Sequence, residues 1–456
     1  MLSKMQSVME YLDLAVSLCD DAKRAGGDHA EVFIQKETSL HIGVRKGEIE
    51  DFHLGEERGL AIRTLTGNRL GFAYTSHFSK EAFKAILSEA IRSGEKTLPD
   101  PSYFFPSPPA RSPSLSLFDE TLPRVPIPDK VALTRQMEQV ALSVDPRIRK
   151  SDGASYQDTI SEVFLANTSG LAVSSKSTSC VAYLEVIAEQ NEEAETGLGL
   201  GYGIRFRALD PEKIGKEAGE NAVGMLGGKI IPTQRVDLFL DPFVATQFLG
   251  ALASPLSAEA VRKGRSLLAN QLEKPIASSI VTLIDDGLLP DAIASFPFDG
   301  EGVPRQTTLL VEEGILKTYV HNLHSASQFG VSSTGNASRA SFKATPEIHL
   351  SNFYVKPGTV SPQALFQKVD KGFLVTKVMG MHTVNPISGE FSVGASGYWL
   401  EKGEKAYPVR QVTLSGNLLE ILKSVQGIAN DFRFVPFGGN VGSPTLWVRD
   451  GMVSGL

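Results

Sequence analysis

The chain has 456 residues, enough for two or three domains at ~150 residues each. Hydrophobic residues make up 42% and charged residues 21%, an ordinary balance for a soluble globular protein. The net charge of −7 argues against direct nucleic-acid contact, because neutralising a phosphate backbone takes clustered Lys and Arg in excess.

The opening "MLSKMQSVMEYLDLAVSLCDDAKRAG" carries acids inside its apolar pattern and lacks the unbroken apolar core of a signal peptide. It reads as an amphipathic helix that stops at Gly26-Gly27. No run approaches the ~20 apolar residues of a membrane span, so no membrane contact is expected. The two cysteines, Cys19 and Cys180, stand outside any C-x-x-C pair and read as idle thiols in a reducing cytoplasm.

From Ala30 to Ser76, short alternating segments are parted by "KGE", "GEERG" and "TGN", which predicts antiparallel hairpins. "SKEAFKAILSEAIRSGEKT" then predicts a helix capped by Ser79. A Pro/Ser-rich stretch near 97–128 reads as an extended linker or wrapping loop, since proline lacks an N–H and disfavours helix before it. "PDKVALTRQMEQVALSV" predicts another helix, residues 151–207 further strands, and "DPEKIGKEAGENAVGML" a helix again. Strands followed by a helix thus occur twice, which suggests an internal duplication in the N-terminal half. Within it, "GLGLGYG" (Gly197 to Gly203) misses the G-x-G-x-x-G nucleotide fingerprint and instead leaves one strand face bare for a bulky neighbour.

"IIPTQRVDLFLDP" reads as a linker strand opening a second half, 229–456, that is again strand-dense. The expected fold is α+β: two domains, 1–228 and 229–456, with large antiparallel sheets flanked by helices. In the second half, "HNLH" holds His321 and His324. Two imidazoles three apart on a helix can share a metal, but here they follow a strand-like run, where they would point to opposite faces. Asp285-Asp286-Gly287 and Asp299 to Gly302 hold carboxylates close together, fit for acid–base work or a hard cation, and equally for turns. Ser392 and Ser396 lie among glycines in "ISGEFSVGASGYW", which is not a nucleophile elbow because Tyr398 takes the second glycine's place.

"TGNASR", "SNFYVKPG", "KGFLVTKVMGMHTVNPISGEFSVGASGYW", "PVRQVTLSGNL", "IAND", "FDGEGVP" and "GSPTLWVRDGMVSG" together resemble the TldD/PmbA family, once called modulators of DNA gyrase. "HAEVFIQKETSLHIGVRKGEIE" and "RGLAIRT" extend the resemblance over the N-terminal half. In the TldD branch, H-E-x-x-x-H on a helix holds Zn²⁺ by two imidazoles on one face, and the glutamate acts as general base on the bound water. Counting back from Arg262-Lys263, Leu249 and Ser254 stand at the histidine positions and Gly250 at the glutamate. No His or Cys occurs between Cys180 and His321, and Pro255 breaks the helix that would carry the ligands.

The resemblance therefore implies the PmbA branch, also called TldE: a subunit without metal or cofactor, inactive alone. It would pair with a TldD-like zinc peptidase subunit that degrades extended peptides and trims peptide-antibiotic precursors. Without its partner it would form homodimers. Motif position and glycine chemistry single out Gly335, Asn336, Arg339, Gly389, Ser392, Gly394 and Ser396 as contacts to an extended peptide, bound by strand addition. Two other readings stand beside this one. One is a stand-alone hydrolase built on Ser392 or Ser396, or on His321, His324, His382 and Asp299 with a metal. The other is a regulator that binds DNA gyrase.

Overall fold

The computed structural model describes residues 2–110, 113–436 and 439–455. The N-terminal half runs α1 (Leu2–Arg24), β1 (His29–Arg45), β2 (Glu48–Thr66), β3 (Arg69–Thr75), α2 (Lys80–Glu95), α3 (Ile127–Ser143), β4 (Ile148–Asn167), β5 (Ala172–Gln190), β6 (Glu193–Gly203) and α4 (Pro211–Gly224). Its strands form one antiparallel sheet in the order β3-β2-β1-β4-β5-β6. The order helix, three strands, helix occurs twice, and the two sets meet at the β1–β4 ladder. This is a repeat of topology and does not by itself make the segment a duplication.

Side-chain alternation explains how the helices settle. Val32, Ile34, Leu40 and Ile42 share one face of β1 and all are buried. The first two join a core under α1 and α2, the second two a core under α3 and α4. Between these two helical covers the same face is polar, and a cleft of about 600 Å³ opens over Lys36, Thr38, Glu56, Arg58, Ile160 and Glu162. Ser79 accepts the Ala82 N–H at 3.1 Å and so starts α2, as its sequence predicts. The bare glycine face of β6 receives α4: a Cβ at Gly199 would lie 2.0 Å from the Ile214 carbonyl oxygen, and one at Gly197 2.1 Å from that of Ala218. The Pro/Ser-rich segment wraps the sheet, burying Phe105 and Leu117, while Asn167 Nδ2 donates to the Pro106 carbonyl at 2.9 Å.

β2 is 19 residues long, yet β3 pairs only with Leu60 to Thr66. Among the described residues, Glu48 to Gly59 therefore have β1 on one side and no strand on the other.

The C-terminal half contains β7 (Gln234–Leu240), α5 (Pro242–Gly250), α6 (Ala258–Arg262), β8 (Leu283–Asp286), β9 (Thr307–Glu312), β10 (Ile315–Leu316), α7 (Leu323–Phe329), β11 (Ala337–Ser338), β12 (Glu347–Ile348), β13 (Asn352–Val355) and α8 (Pro362–Phe366). It continues with β14 (Lys371–Met379), β15 (Glu390–Glu401), β16 (Glu404–Asn417), α9 (Leu418–Lys423), β17 (Val425–Ile428), β18 (Arg433–Val435), β19 (Asn440–Ser443) and β20 (Leu446–Ser454). One sheet has the order β10-β9-β8-β13-β19-β18. Another has the order β16-β15-β14-β7-β20-β17, and a further β16–β20 pairing closes five of its strands into a barrel. The large sheets are antiparallel apart from the β7–β14 and β13–β19 pairs. β7 is thus a barrel stave between β14 and β20, not a linker. The result is an α+β protein with large antiparallel sheets flanked by helices.

Candidate functional site

α5 follows β7 through Asp241, whose side chain caps the helix by accepting the Val244 N–H at 2.7 Å, with Pro242 in the first turn. Burial, with Asp431 nearby, pushes the Asp241 carboxyl up to about 7. The helix ends at Gly250, five residues ahead of Pro255, and the chain continues in turns to α6. Leu249 is buried in the core, close to Phe248, whose ring meets Phe391 edge-on at 5.1 Å. Gly250 faces open space: a Cβ there would meet nothing within 4 Å. Ser254 is exposed. A buried alkyl chain, a missing side chain and a solvated hydroxyl are no donor set for Zn²⁺. Among the described residues no three His, Cys, Asp or Glu side chains gather as a metal site.

The expected strand does not reach "HNLH". β10 stops at Leu316, and Asn322 caps α7 by accepting the Ser325 N–H at 2.9 Å, so the two histidines straddle a helix start. His321 is buried, with Nδ1 3.3 Å from Ser325 Oγ, and burial pulls its imidazole down to about 4. His324 lies outside, with Nε2 2.8 Å from Asp100 and its ring stacked on Tyr103 at 4.1 Å. These contacts fasten the wrapping segment to α7. They leave a cleft of about 480 Å³ between Phe104, Pro106, Pro304, Leu323 and Ala326.

Asp299 holds a turn. Its carboxylate accepts the N–H groups of Glu301 at 2.8 Å, Val303 at 3.0 Å and Ala337 at 3.0 Å. Burial, and then the charge of Glu301, raise its carboxyl above the ordinary range. Asp285 is likewise buried. It accepts from Asn336 Nδ2 at 2.6 Å and from the Ser351 N–H at 2.6 Å. Both acidic motifs are therefore internal scaffolding for the loop that carries Gly335, Asn336 and Arg339.

That loop meets the first sheet through buried charge. Arg339 pairs with Glu31 of β1 and donates from Nε to the Gly300 carbonyl at 2.8 Å. Arg63 of β2 grips the same Glu31, and its Nη1 lies 3.3 Å from Glu301. Glu301 in turn accepts the Leu323 N–H at 2.9 Å. Opposite charges at this range hold the Glu31 carboxyl below its usual value despite the burial. Neither Glu31 nor Arg63 was singled out from the sequence, because each lies hundreds of positions from its partners in the second half.

Gly389, Ser392, Gly394 and Ser396 sit elsewhere. Ser392, Gly394 and Ser396 alternate with the buried Phe391, Val393 and Ala395 and so face outward together. Gly389 immediately precedes the strand, with φ of +80°. From Gly394 to Glu401 β15 is flanked by β14 and β16, whereas Glu390 to Val393 pair with β16 alone. Strand addition is closed off over Gly394 to Glu401, while the stretch that holds Ser392 has no β14 neighbour. Gly397 serves the barrel itself: a Cβ there would lie 1.9 Å from the Leu374 carbonyl oxygen. No hydrogen bond among the described residues joins Ser392 or Ser396 to a histidine, and none joins this face to Gly335, Asn336 or Arg339.

Cys19 and Cys180 are both buried and free, and burial pushes each thiol up to about 12. Among the described residues no helix is long and apolar enough to cross a membrane.

Comparison with known proteins matches this arrangement along the whole chain. A "Metalloprotease PmbA homolog" of Haemophilus influenzae is 31% identical over 427 residues, covering 92% of each chain. A Thermotoga maritima protein described as a modulator of a DNA gyrase has a crystal structure that superposes with a TM-score of 0.90 at 26% identity, covering 98% of this chain and 100% of that one. TldE from Thermococcus kodakarensis shares the fold, with a TM-score of 0.89 at 22% identity over 96% of this chain and 99% of its own. Residues 30–94 match the PmbA/TldA metallopeptidase domain 1, residues 120–226 the central domain and residues 233–455 the C-terminal domain, so the chain belongs to the PmbA/TldA metallopeptidase family.

Proposed function

We propose that the chain is a metal-free, non-catalytic subunit of the PmbA/TldE type, which pairs with a TldD-like zinc subunit to process extended peptides. The observation that carries this reading is the chemistry of α5 and the turns after it. Leu249, Gly250 and Ser254 occupy the places where the resemblance puts two imidazoles and a carboxylate. The helix also ends at Gly250, so the two histidine positions do not lie on one helix. In this reading the subunit contributes shape and polar surface to a shared chamber. Ser392, Gly394 and Ser396 are proposed to meet the peptide through their outward face. Arg339 and Asn336, spent on Glu31 and Asp285, act by fixing the loop that carries Gly335.

The test is to purify the chain alone and after co-expression with a TldD-like subunit, then measure bound zinc and digestion of an unfolded polypeptide. The chain alone should hold no stoichiometric zinc and cleave nothing, whereas the co-purified pair should hold zinc and digest the polypeptide. Chelator-sensitive cleavage by the rigorously pure single chain ends the proposal.

A further inference from the structure

We propose that the open half of β2, Glu48 to Arg58, is a docking edge for a basic extended segment of another polypeptide, which adds beside β2 as a further strand. The proposal extends the peptide-binding part of the reading above and holds for the isolated chain, with or without a catalytic partner.

The backbone supplies the first argument. A bulge interrupts the β1–β2 ladder near Glu50, but from Asp51 to Arg58 the pairing is regular. In an antiparallel pair alternate residues turn both their N–H and C=O away from the partner. With no strand beyond β2 here, those groups face solvent over roughly 27 Å, at ~3.4 Å per residue. Folded proteins usually shorten, cover or pair such an edge.

The side chains supply the second. Phe52 and Leu54 lie opposite Ile42 and Leu40, both buried under the α3/α4 cover, yet Phe52 is 44% exposed and Leu54 59%. The apolar face thus runs past its helical cover to the open edge, where an added strand would continue it.

Charge selects the occupant. Glu48, Glu50, Asp51, Glu56 and Glu57 stand against Arg58 alone, and Arg58 is turned to Tyr11, with Nη1 3.0 Å from its hydroxyl. Glu50, Glu48 and Glu57 reach Arg45, Arg135 and Lys343 only through exposed pairs, the weak kind that a ligand can exchange. Glu56 has no ion-pair partner among the described residues and lines the cleft beside Glu57 and Glu162. A second copy of this edge is a poor occupant. Antiparallel self-pairing centred on His53 sets Glu50 against Glu56 with Glu48 against Arg58, and centring on Leu54 sets Asp51 against Glu57 with Glu50 against Arg58. Like charges directly opposite destabilise a ladder, and five acids against one arginine leave two copies of the segment in net repulsion, so the edge suits lysine or arginine alternating with apolar residues.

The probe is a fluorescein-labelled peptide of about nine residues, alternating lysine and valine, titrated into the full chain at low salt with anisotropy as readout. Binding is expected, with alternate amides of 51–58 slowed in hydrogen exchange. The double variant Glu50→Lys/Glu56→Lys, changed only at exposed positions, should bind roughly tenfold more weakly while keeping the parent's melting temperature. Leu54→Asp should also weaken binding. A glutamate–valine peptide should not bind. The decisive control is the lysine–valine peptide N-methylated at alternate residues, which keeps its charge and loses its donors. Loss of its binding supports strand addition. The proposal fails if the N-methylated peptide binds as well as its parent, if protection falls outside β2, if the glutamate peptide binds equally, or if the lysine peptide does not bind.

Discussion

The guanidinium of Arg63 donates to both carboxylate oxygens of Glu31, at 2.9 and 2.7 Å, with neither side chain more than 5% exposed. This bidentate pair lies where the first sheet meets the second half, since Arg339 and Glu301 complete it from the other side. Removing one member of a buried pair strands its partner in a low-dielectric site. Arg63→Ala should therefore cost about 3 kcal/mol in urea unfolding. Arg63→Lys should recover only part of this, because an ammonium cannot form the two parallel bonds. A loss within ~0.5 kcal/mol of zero, the range of an ordinary surface change, would mean the cluster does not hold the interface.

Asp241 gives a pH signature. Its folded-state carboxyl, raised to about 7, lies above the 3.8 of a free carboxyl, so between those values the unfolded chain releases a proton that the folded chain keeps. Stability on its account is full below about pH 4 and declines as pH rises toward 7. Asparagine caps a helix equally well and does not titrate. Asp241→Asn should then match the parent near pH 4 and exceed it in stability at pH 8. Parallel stability curves from pH 4 to pH 8 contradict the assignment.

His321 works in the opposite direction. Burial lowers its imidazole from 6.5 to about 4, so the unfolded chain takes up a proton first as pH falls. The stability it contributes is complete above about 6.5 and is lost on descending toward 4. By NMR the His321 ring should stay neutral at pH 5.5. His321→Gln should flatten the acid limb of the stability curve. A ring that titrates near 6.5 overturns the prediction.

Gly199→Ala should be among the costliest single-methyl additions in the chain. The new carbon would fall 2.0 Å from the Ile214 carbonyl oxygen, on a helix backbone that cannot swing aside. About 3 kcal/mol of destabilisation is expected, from displacement of α4. Gly250→Ala, where a Cβ meets nothing within 4 Å, serves as the neutral comparison in the same denaturation assay.

Local chemistry made much of this fold legible. Ser79, the apolar spacing of α2 and α4, and the alternate glycines of β6 each declare their structure within a few residues. "HNLH" misleads because the strand has already stopped at Leu316 and Asn322, inside the motif, caps a helix. Glu31 and Arg339 were out of reach for a different reason: 308 positions part them, and no short-range pattern encodes such a meeting. The glycines of this stretch announce close approach, which the structure shows against the neighbouring barrel strand at Gly397, while Gly394 has only ordinary contacts. Their spacing alone could not separate that use from contact with a peptide. The exposed run of β2 was visible as hairpin sequence, but its vacancy depends on how short β3 is.

Closure of the barrel has a consequence for biosynthesis. β20, the final stave, pairs with β7 from more than two hundred positions earlier and with β16 beside it. A nascent chain thus exposes the apolar insides of β7, β14 and β15 until β20 clears the ribosome, a long wait for non-local pairing. Loss of the nine residues of β20 alone, Leu446–Ser454, should leave the cylinder unsealed and the product insoluble, however intact the first sheet remains.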